Sequence, residues 1–291
     1  MAVDMDLIMP RTLAEALEAM AARTPDIVPY AGGTNVLVNL RQDPHRYRAL
    51  MDLKGIEDIQ GIRRDDGCLV VGGAVTIAEI LADPLIDQHA PLLKQAAAVF
   101  ANPLIRNRAT LGGNLVDASP AADMAPPLLA LDAEVELAST SGQRRLPLDA
   151  FFVHVNQTRL RPDELLATIR WRIPSPKSTS AFYKLGLRKA DTISVVSVAV
   201  RIEIGEGGVC RVARIALGSV APRPLRAYGA EEALAGQVVT PELIAEAGRL
   251  SREAANPIDD VRGSANYRRR MVDTLVQRCL SQASEDFARQ E

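Results

Sequence analysis

Two short segments carry the residue types best suited to chemistry: Ala31-Gly32-Gly33-Thr34-Asn35 and Thr110-Leu111-Gly112-Gly113-Asn114. Each ends an apolar run and joins two glycines to a hydroxyl and an amide side chain. Glycine lets the backbone approach a ligand closely and adopt positive φ, so successive N–H groups can converge on an anion. Thr and Asn add side-chain donors. A pyrophosphate can be held this way without Lys or Arg. One such loop reads first as a tight turn, whereas two with the same chemistry make a bipartite ligand site an equal alternative. Neither GxGxxG nor GxxxxGKS/T occurs, so neither a Rossmann fingerprint nor a Walker loop is supported.

Two further segments add charge. Asp123 closes Asp117-Ala118-Ser119-Pro120-Ala121-Ala122-Asp123, a stretch too small and apolar to need an exposed acid. It suits a partner for a ligand hydroxyl or ring N–H, or a cap for a helix beginning near Met124. The run Phe182–Asp191 sets Lys184, Arg188 and Lys189 beside two aromatics and ends in Asp191. It could line a cleft against an anionic or electron-rich ring, or be a solvated charged strand.

Other chemistries find little support. Cys68, Cys210 and Cys279, like His45, His89 and His154, stand far apart with no ligand spacing, so neither a disulfide framework nor a metal is expected in this chain. The nucleophile-elbow pattern GxSxG is absent, and no acid/base pair announces itself. With 34 Lys and Arg against 36 Asp and Glu, the net charge of −2 gives no cationic footprint for nucleic acid. The longest apolar runs, such as Ala125–Leu131, fall far short of the roughly 20 residues that span a bilayer. The N-terminal run MAVDMDLIMP is acidic where a secretory signal is basic, which reads as a cytoplasmic protein.

The elements that must position these residues follow an α+β pattern. Thr12–Arg23 carries a one-sided apolar stripe, with Thr12 and Glu15 spaced as a capping box. Strands are expected at Ile27–Tyr30, Leu50–Leu53, Cys68–Val71, Leu128–Leu131, Glu134–Ala138, Arg144–Pro147 and Glu164–Ile173, with Ser141-Gly142 as a hairpin turn. Helices are expected at Val36–Leu40, Ile77–Leu81 and Pro91–Phe100. Pro174–Ser178 is the most linker-like stretch and marks the main domain boundary. Beyond it, Ser194–Ile204 and Arg211–Leu217 form a hairpin across Gly205–Gly208, followed by helices at Ala230–Ala235, Pro241–Arg252 and Ala265–Ser281. Gly-Gly recurs at 32–33, 72–73 and 112–113, but the intervening segments do not match, so the 40-residue period is read as coincidence rather than a repeat.

Four segments in this order, AGGTNVLVNLR (31–41), IRNRATLGGNLVDASPAADMAPPLLAL (105–131), FYKLGLRKAD (182–191) and DVRGSANYRRRMVDTLV (260–276), resemble the FAD-binding medium subunits of the molybdenum hydroxylases. The resemblance implies a vanillyl-alcohol-oxidase-type fold: FAD-binding subdomains at 1–55 and 56–176, and a C-terminal sheet-and-helix domain at 177–291. By position it implies that Ala31–Asn35 and Thr110–Asn114 cradle the pyrophosphate, and that Asp123 holds the ribose or ribityl side. Phe100 would pack near a ring and Leu166 near the adenine, with Lys184, Arg188 and Asp191 around the isoalloxazine. With no His or Cys in either glycine loop, the FAD would be non-covalent. Lys184→Ala would then keep FAD but slow its reoxidation.

The same resemblance implies partners: a large molybdopterin subunit and a small subunit with two [2Fe-2S] clusters, assembled as a dimer of heterotrimers. The chain would pass electrons from the small subunit to an external acceptor. The benzoyl-CoA-reducing subtype, with an inserted four-cysteine segment, is excluded by the three scattered cysteines. A stand-alone flavin oxidase or reductase and a flavin-free assembly subunit are the alternatives.

Overall fold

The computed structural model describes residues 5–289; Met1–Asp4, the start of the acidic N-terminal run, lie outside the described residues. The chain opens with β1 (Asp6–Ile8), α1 (Leu13–Arg23), β2 (Ile27–Tyr30), α2 (Val36–Gln42) and β3 (Ala49–Asp52). The three strands form a parallel sheet in the order β1-β3-β2. Ala16, Leu17 and Met20 bury the stripe of α1 in one cluster with Ile27, Ala49 and Met51. Thr12 caps α1 by accepting the Glu15 N–H at 3.2 Å, but the Glu15 carboxylate reaches back to Arg11 N–H (2.7 Å) rather than to Thr12. The reciprocal box expected there is formed instead by Thr76 and Glu79.

The next stretch comprises β4 (Ile62–Asp65), β5 (Cys68–Gly72), α3 (Ile77–Ala82), α4 (Pro84–His89), α5 (Pro91–Ala98), α6 (Pro103–Arg106), α7 (Leu111–Val116) and α8 (Ala125–Ala130). It continues through β6 (Glu134–Ser139), β7 (Gly142–Pro147), α9 (Leu148–Phe151), β8 (Phe152–His154), β9 (Gln157–Thr158) and β10 (Leu165–Arg172). Five strands pair antiparallel in the order β4-β5-β10-β6-β7. The expected strand at Leu128–Leu131 is overturned: these residues end α8, whose six side chains are all buried. An apolar run buried on every side has no period, and Pro126 in its first turn suits a helix start.

The last third is β11 (Ser178–Gly186), β12 (Ser194–Ile204), β13 (Cys210–Gly218), β14 (Leu225–Arg226), α10 (Tyr228–Leu234), α11 (Pro241–Ala254) and α12 (Ala265–Ala288). Its four strands form an antiparallel sheet in sequence order. Val198 and Val200 of β12 join the core under α12, while Ala199 joins the core around α8. With both faces covered, β12 is buried almost throughout. Across this junction Arg201, Arg214 and Arg226 converge on Asp132 at 3.0, 2.7 and 2.7 Å.

Before α12, Arg262 pairs with Asp260 at 2.7 Å and, as the leading cause, holds that carboxyl at about 2. A depressed folded value contributes stability that is complete above the ordinary carboxylate value, about 4, and is lost as pH falls toward 2. Asp260→Asn is therefore expected to lower the melting temperature near neutrality, with the gap from the parent closing between about pH 4 and pH 2. Thermal unfolding of both proteins across that range checks it.

Candidate functional site

The two glycine loops, alike in sequence, are built differently. β2 delivers the chain into Ala31–Asn35, where Gly33 takes a φ of 74°, a conformation that side chains rarely adopt. Gly32 lies so close to the Arg108 carbonyl that a Cβ there would overlap it. The N–H groups of Gly32, Gly33, Thr34 and Asn35 have no partner among the described residues. This loop is an open cradle of donors.

The second segment instead starts a helix. Thr110 is the N-cap of α7, its hydroxyl accepting the Gly113 N–H at 3.1 Å. Leu111 N–H donates to Val75 O, Gly112 N–H to Gly73 O and Asn114 N–H to Thr110 O, at 2.9, 2.9 and 3.0 Å. The backbone donors expected to meet an anion here are thus already used. What remains for a ligand is the Thr110 hydroxyl proton and the Asn114 NH2, since Asn114 Oδ1 accepts from Met124 N–H (3.2 Å). Gly112 is small for packing: a Cβ there would stand 2.5 Å from Gly73 O. The Gly-Gly pairs at 72–73 and 112–113 therefore meet in space, although no repeat exists.

Asp123 is buried, and it does not cap α8: the N-cap is Met124, whose own side chain makes no capping bond. One carboxylate oxygen, Oδ2, accepts from Lys184 Nζ at 2.6 Å; the other, Oδ1, is buried with no partner. Burial pushes this carboxyl above its usual range despite the lysine. Lys184 projects from β11 and also donates to the Val99 carbonyl (3.2 Å). Its side chain is 3% exposed, so it is a sealed partner of Asp123 rather than a free cation facing a ring.

A cleft of about 1240 Å³ joins these parts. Along it lie Ala31, Gly32, Gly33, Thr34, Asn35, Phe100, Thr110, Gly112, Gly113, Asn114, Asp123 and Leu166, with Arg188 and Asp191 on the segment before β12. Leu111 and Lys184 stand behind the wall. Arg188 folds back on the Ala190 and Asp191 carbonyls, and its side chain is 69% exposed. Sequence reasoning missed Tyr30, whose hydroxyl donates to Asp52 (3.1 Å), and the β8–β9 hairpin with Val153, Asn156 and Gln157. Backbone strain gathers here as well: non-glycine residues Ala101, Asn156 and Asp191 line the cleft with φ of 36°, 53° and 50°.

A loop of free amides, a buried lone acceptor and apolar walls at Phe100 and Leu166 define a binder of an extended, phosphate-bearing cofactor. Residues 3–176 match the family described as the FAD binding domain in molybdopterin dehydrogenase, and residues 181–283 match the CO dehydrogenase flavoprotein C-terminal domain. The chain belongs to this family, the FAD-binding subunits of the molybdenum hydroxylases, and so to an oxidoreductase. It is 31% identical to the xanthine dehydrogenase FAD-binding subunit of Escherichia coli O157:H7, over 94% of this chain and 93% of that one. Identity to the nicotinate dehydrogenase FAD-subunit of Eubacterium barkeri is 30%, over 94% of each chain. The fold superimposes on a solved chain of carbon monoxide dehydrogenase from Hydrogenophaga pseudoflava with a TM-score of 0.93 and 29% identity, over 97% of this chain and 98% of that one. Among the described residues no helix is long and apolar enough to cross a membrane.

Proposed function

We propose that this cleft holds FAD non-covalently, with Ala31–Asn35 and the side chains of Thr110 and Asn114 at the pyrophosphate and Asp123 at a ribose or ribityl hydroxyl. The observation that carries this reading is the unpartnered Asp123 Oδ1, a buried acceptor on the cleft wall that a ligand hydroxyl would satisfy. Phe100 and Leu166 supply apolar contact for the rings, while Arg188 and Asp191 stand on the isoalloxazine side. Lys184 acts through Asp123 by keeping Oδ2 engaged, and Leu111, the first residue of α7, packs into the core behind the cleft wall.

FAD supplies the redox chemistry when bound, and the chain's own work is to bind, orient and shield it. We assign the flavin-binding part to subdomains 1–55 and 56–176 and the covering part to 177–291. The complex would be a cytoplasmic dimer of heterotrimers in which a large molybdopterin subunit and a small [2Fe-2S] subunit complete the electron path to an external acceptor. Near full-length similarity to two FAD subunits favours this reading over a stand-alone oxidase or a flavin-free assembly subunit.

Gly113 gives a local test. A Cβ there would meet only Thr110 Oγ1, at 2.8 Å, with otherwise open space toward the cleft. Gly113→Val is expected to leave the chain folded but to cut flavin retention at least tenfold, measured as released FAD per chain after gel filtration. Full retention would show that no phosphate lies against this loop. Co-purification with the neighbouring chains, followed by native mass measurement, should find two copies of each of three subunits; a flavin-loaded chain purified alone at full activity would favour the stand-alone reading.

A further inference from the structure

The segment DVRGSANYRRRMVDTLV contains a buried cation for which the assignments above have no use. Arg268, in the first turn of α12, is 1% exposed, and its guanidinium reaches four places in the chain. Nε donates to the Val195 carbonyl at 3.2 Å. One terminal nitrogen donates to the Ile258 carbonyl at 2.9 Å and to Asp260 at 3.4 Å, and the other to the Ser219 carbonyl. Arg262 already pairs with Asp260 through its Nε and one terminal nitrogen, so backbone carbonyls supply most of the compensation for Arg268. Burying a charge this way is expensive, and an apolar side chain of similar volume would serve stability as well or better. The arrangement suits a task that needs a planar fork of donors in fixed directions.

Two of the carbonyls it holds, those of Ser219 and Val195, lead to the cleft. Ser219, at a φ of 66°, donates its N–H to the Pro120 carbonyl at 2.7 Å. Pro120 lies between Ser119 and Ala121, both on the cleft wall, and the same loop ends at Asp123. Val195 is the second residue of β12, which follows directly on Arg188–Ile193, the segment that carries Arg188, Asp191, Thr192 and Ile193 along the cleft. Arg262 strengthens that end by donating to the Ser194 carbonyl at 3.3 Å. No other side chain among the described residues donates to the Ser219 or Ile258 carbonyl.

We infer that Arg268 is a positioning residue for the flavin site, clamping the Pro120–Asp123 wall and the Arg188–Ile193 rim in one register. It does not line the cleft and acts only through these two segments. The inference rests on the FAD assignment above. Lysine cannot replace the fork, because a single ammonium on a flexible stem cannot span carbonyls in fixed directions, and methionine fills volume without donors.

The test uses the full chain, its Arg268→Lys and Arg268→Met variants, and Glu231→Gln as a control that loosens a different buried ion pair, Arg226–Glu231. Flavin-depleted protein is titrated with FAD, and amide hydrogen exchange is followed at residues 118–123 and 186–195. Both Arg268 variants are expected to weaken the Kd for FAD by about tenfold or more, a size typical of indirect coupling, and to speed exchange in the two segments. Glu231→Gln should lower Tm while leaving Kd and both segments unchanged. A Kd and exchange within about twofold of the parent in the Arg268 variants would overturn the inference, as would equal changes in Glu231→Gln. Should Arg268→Met fail to fold, Arg268→Lys, which keeps the stem and charge, decides. A folded parent that binds no FAD would refute the site assignment instead, and exchange at the two segments would then decide the clamp alone.

Discussion

Asp123→Ala is expected to strip the chain of FAD and to destabilise it, the largest combined effect of any single substitution in the cleft. The carboxylate has two separable parts: Oδ2 neutralises a lysine whose side chain is 3% exposed, and Oδ1, buried without a partner, is the oxygen proposed to meet a ligand hydroxyl. Removing one partner of a buried pair leaves the other charge uncompensated, at a cost of about 3–5 kcal/mol. Lys184→Met added to Asp123→Ala removes the stranded ammonium and should restore much of the melting temperature, but not the flavin. A single variant that retains FAD, or a double variant that regains it, would show that Oδ1 faces no cofactor. The same geometry revises the expectation for Lys184→Ala. Loss of its partner leaves Asp123 buried, unpaired and already displaced toward the protonated form, so flavin retention itself should fall.

Gly112→Ala should be the most damaging change in either glycine loop, and its damage should be to the fold. The added Cβ would stand 2.5 Å from Gly73 O and 2.9 Å from Gly73 Cα, backbone atoms at the end of β5 that have no rotamer by which to yield. Overpacking of this kind costs about 1–3 kcal/mol, and more when the obstacle is rigid. Thermal unfolding should show a drop of several degrees for Gly112→Ala and a smaller one for Gly113→Ala, whose Cβ meets only the Thr110 hydroxyl, at 2.8 Å. Equal effects at the two positions would mean that the α7 start is not locked to Gly73.

The contrast between those glycines marks the limit of what the residues disclosed. Residue type and order were enough to single out both loops and Asp123, which the structure brings to one cleft, and the hairpin of β12 and β13, because those signals are local. Whether a Gly-Gly loop presents its amides or spends them depends on its neighbours. Thr110 and the carbonyls of Val75 and Gly73 consume the donors of the second loop, and 39 residues separate Gly73 from Gly112. The Asp123–Lys184 pair spans 61 residues and joins α8's approach to β11, so no window could contain it. Leu128–Leu131 went astray for the reason already given, total burial. The capping box was expected at Thr12–Glu15, but Thr76-Ile77-Ala78-Glu79 has the same spacing and is the one that closes, so the spacing alone did not choose between them.

The most direct test of the central claim is the absorption spectrum of this chain, purified with its partner subunits and then denatured. One FAD per chain, with the visible bands of oxidised flavin released into the supernatant on acid precipitation, is the expected result. A folded, fully assembled complex containing this chain and no flavin would contradict it.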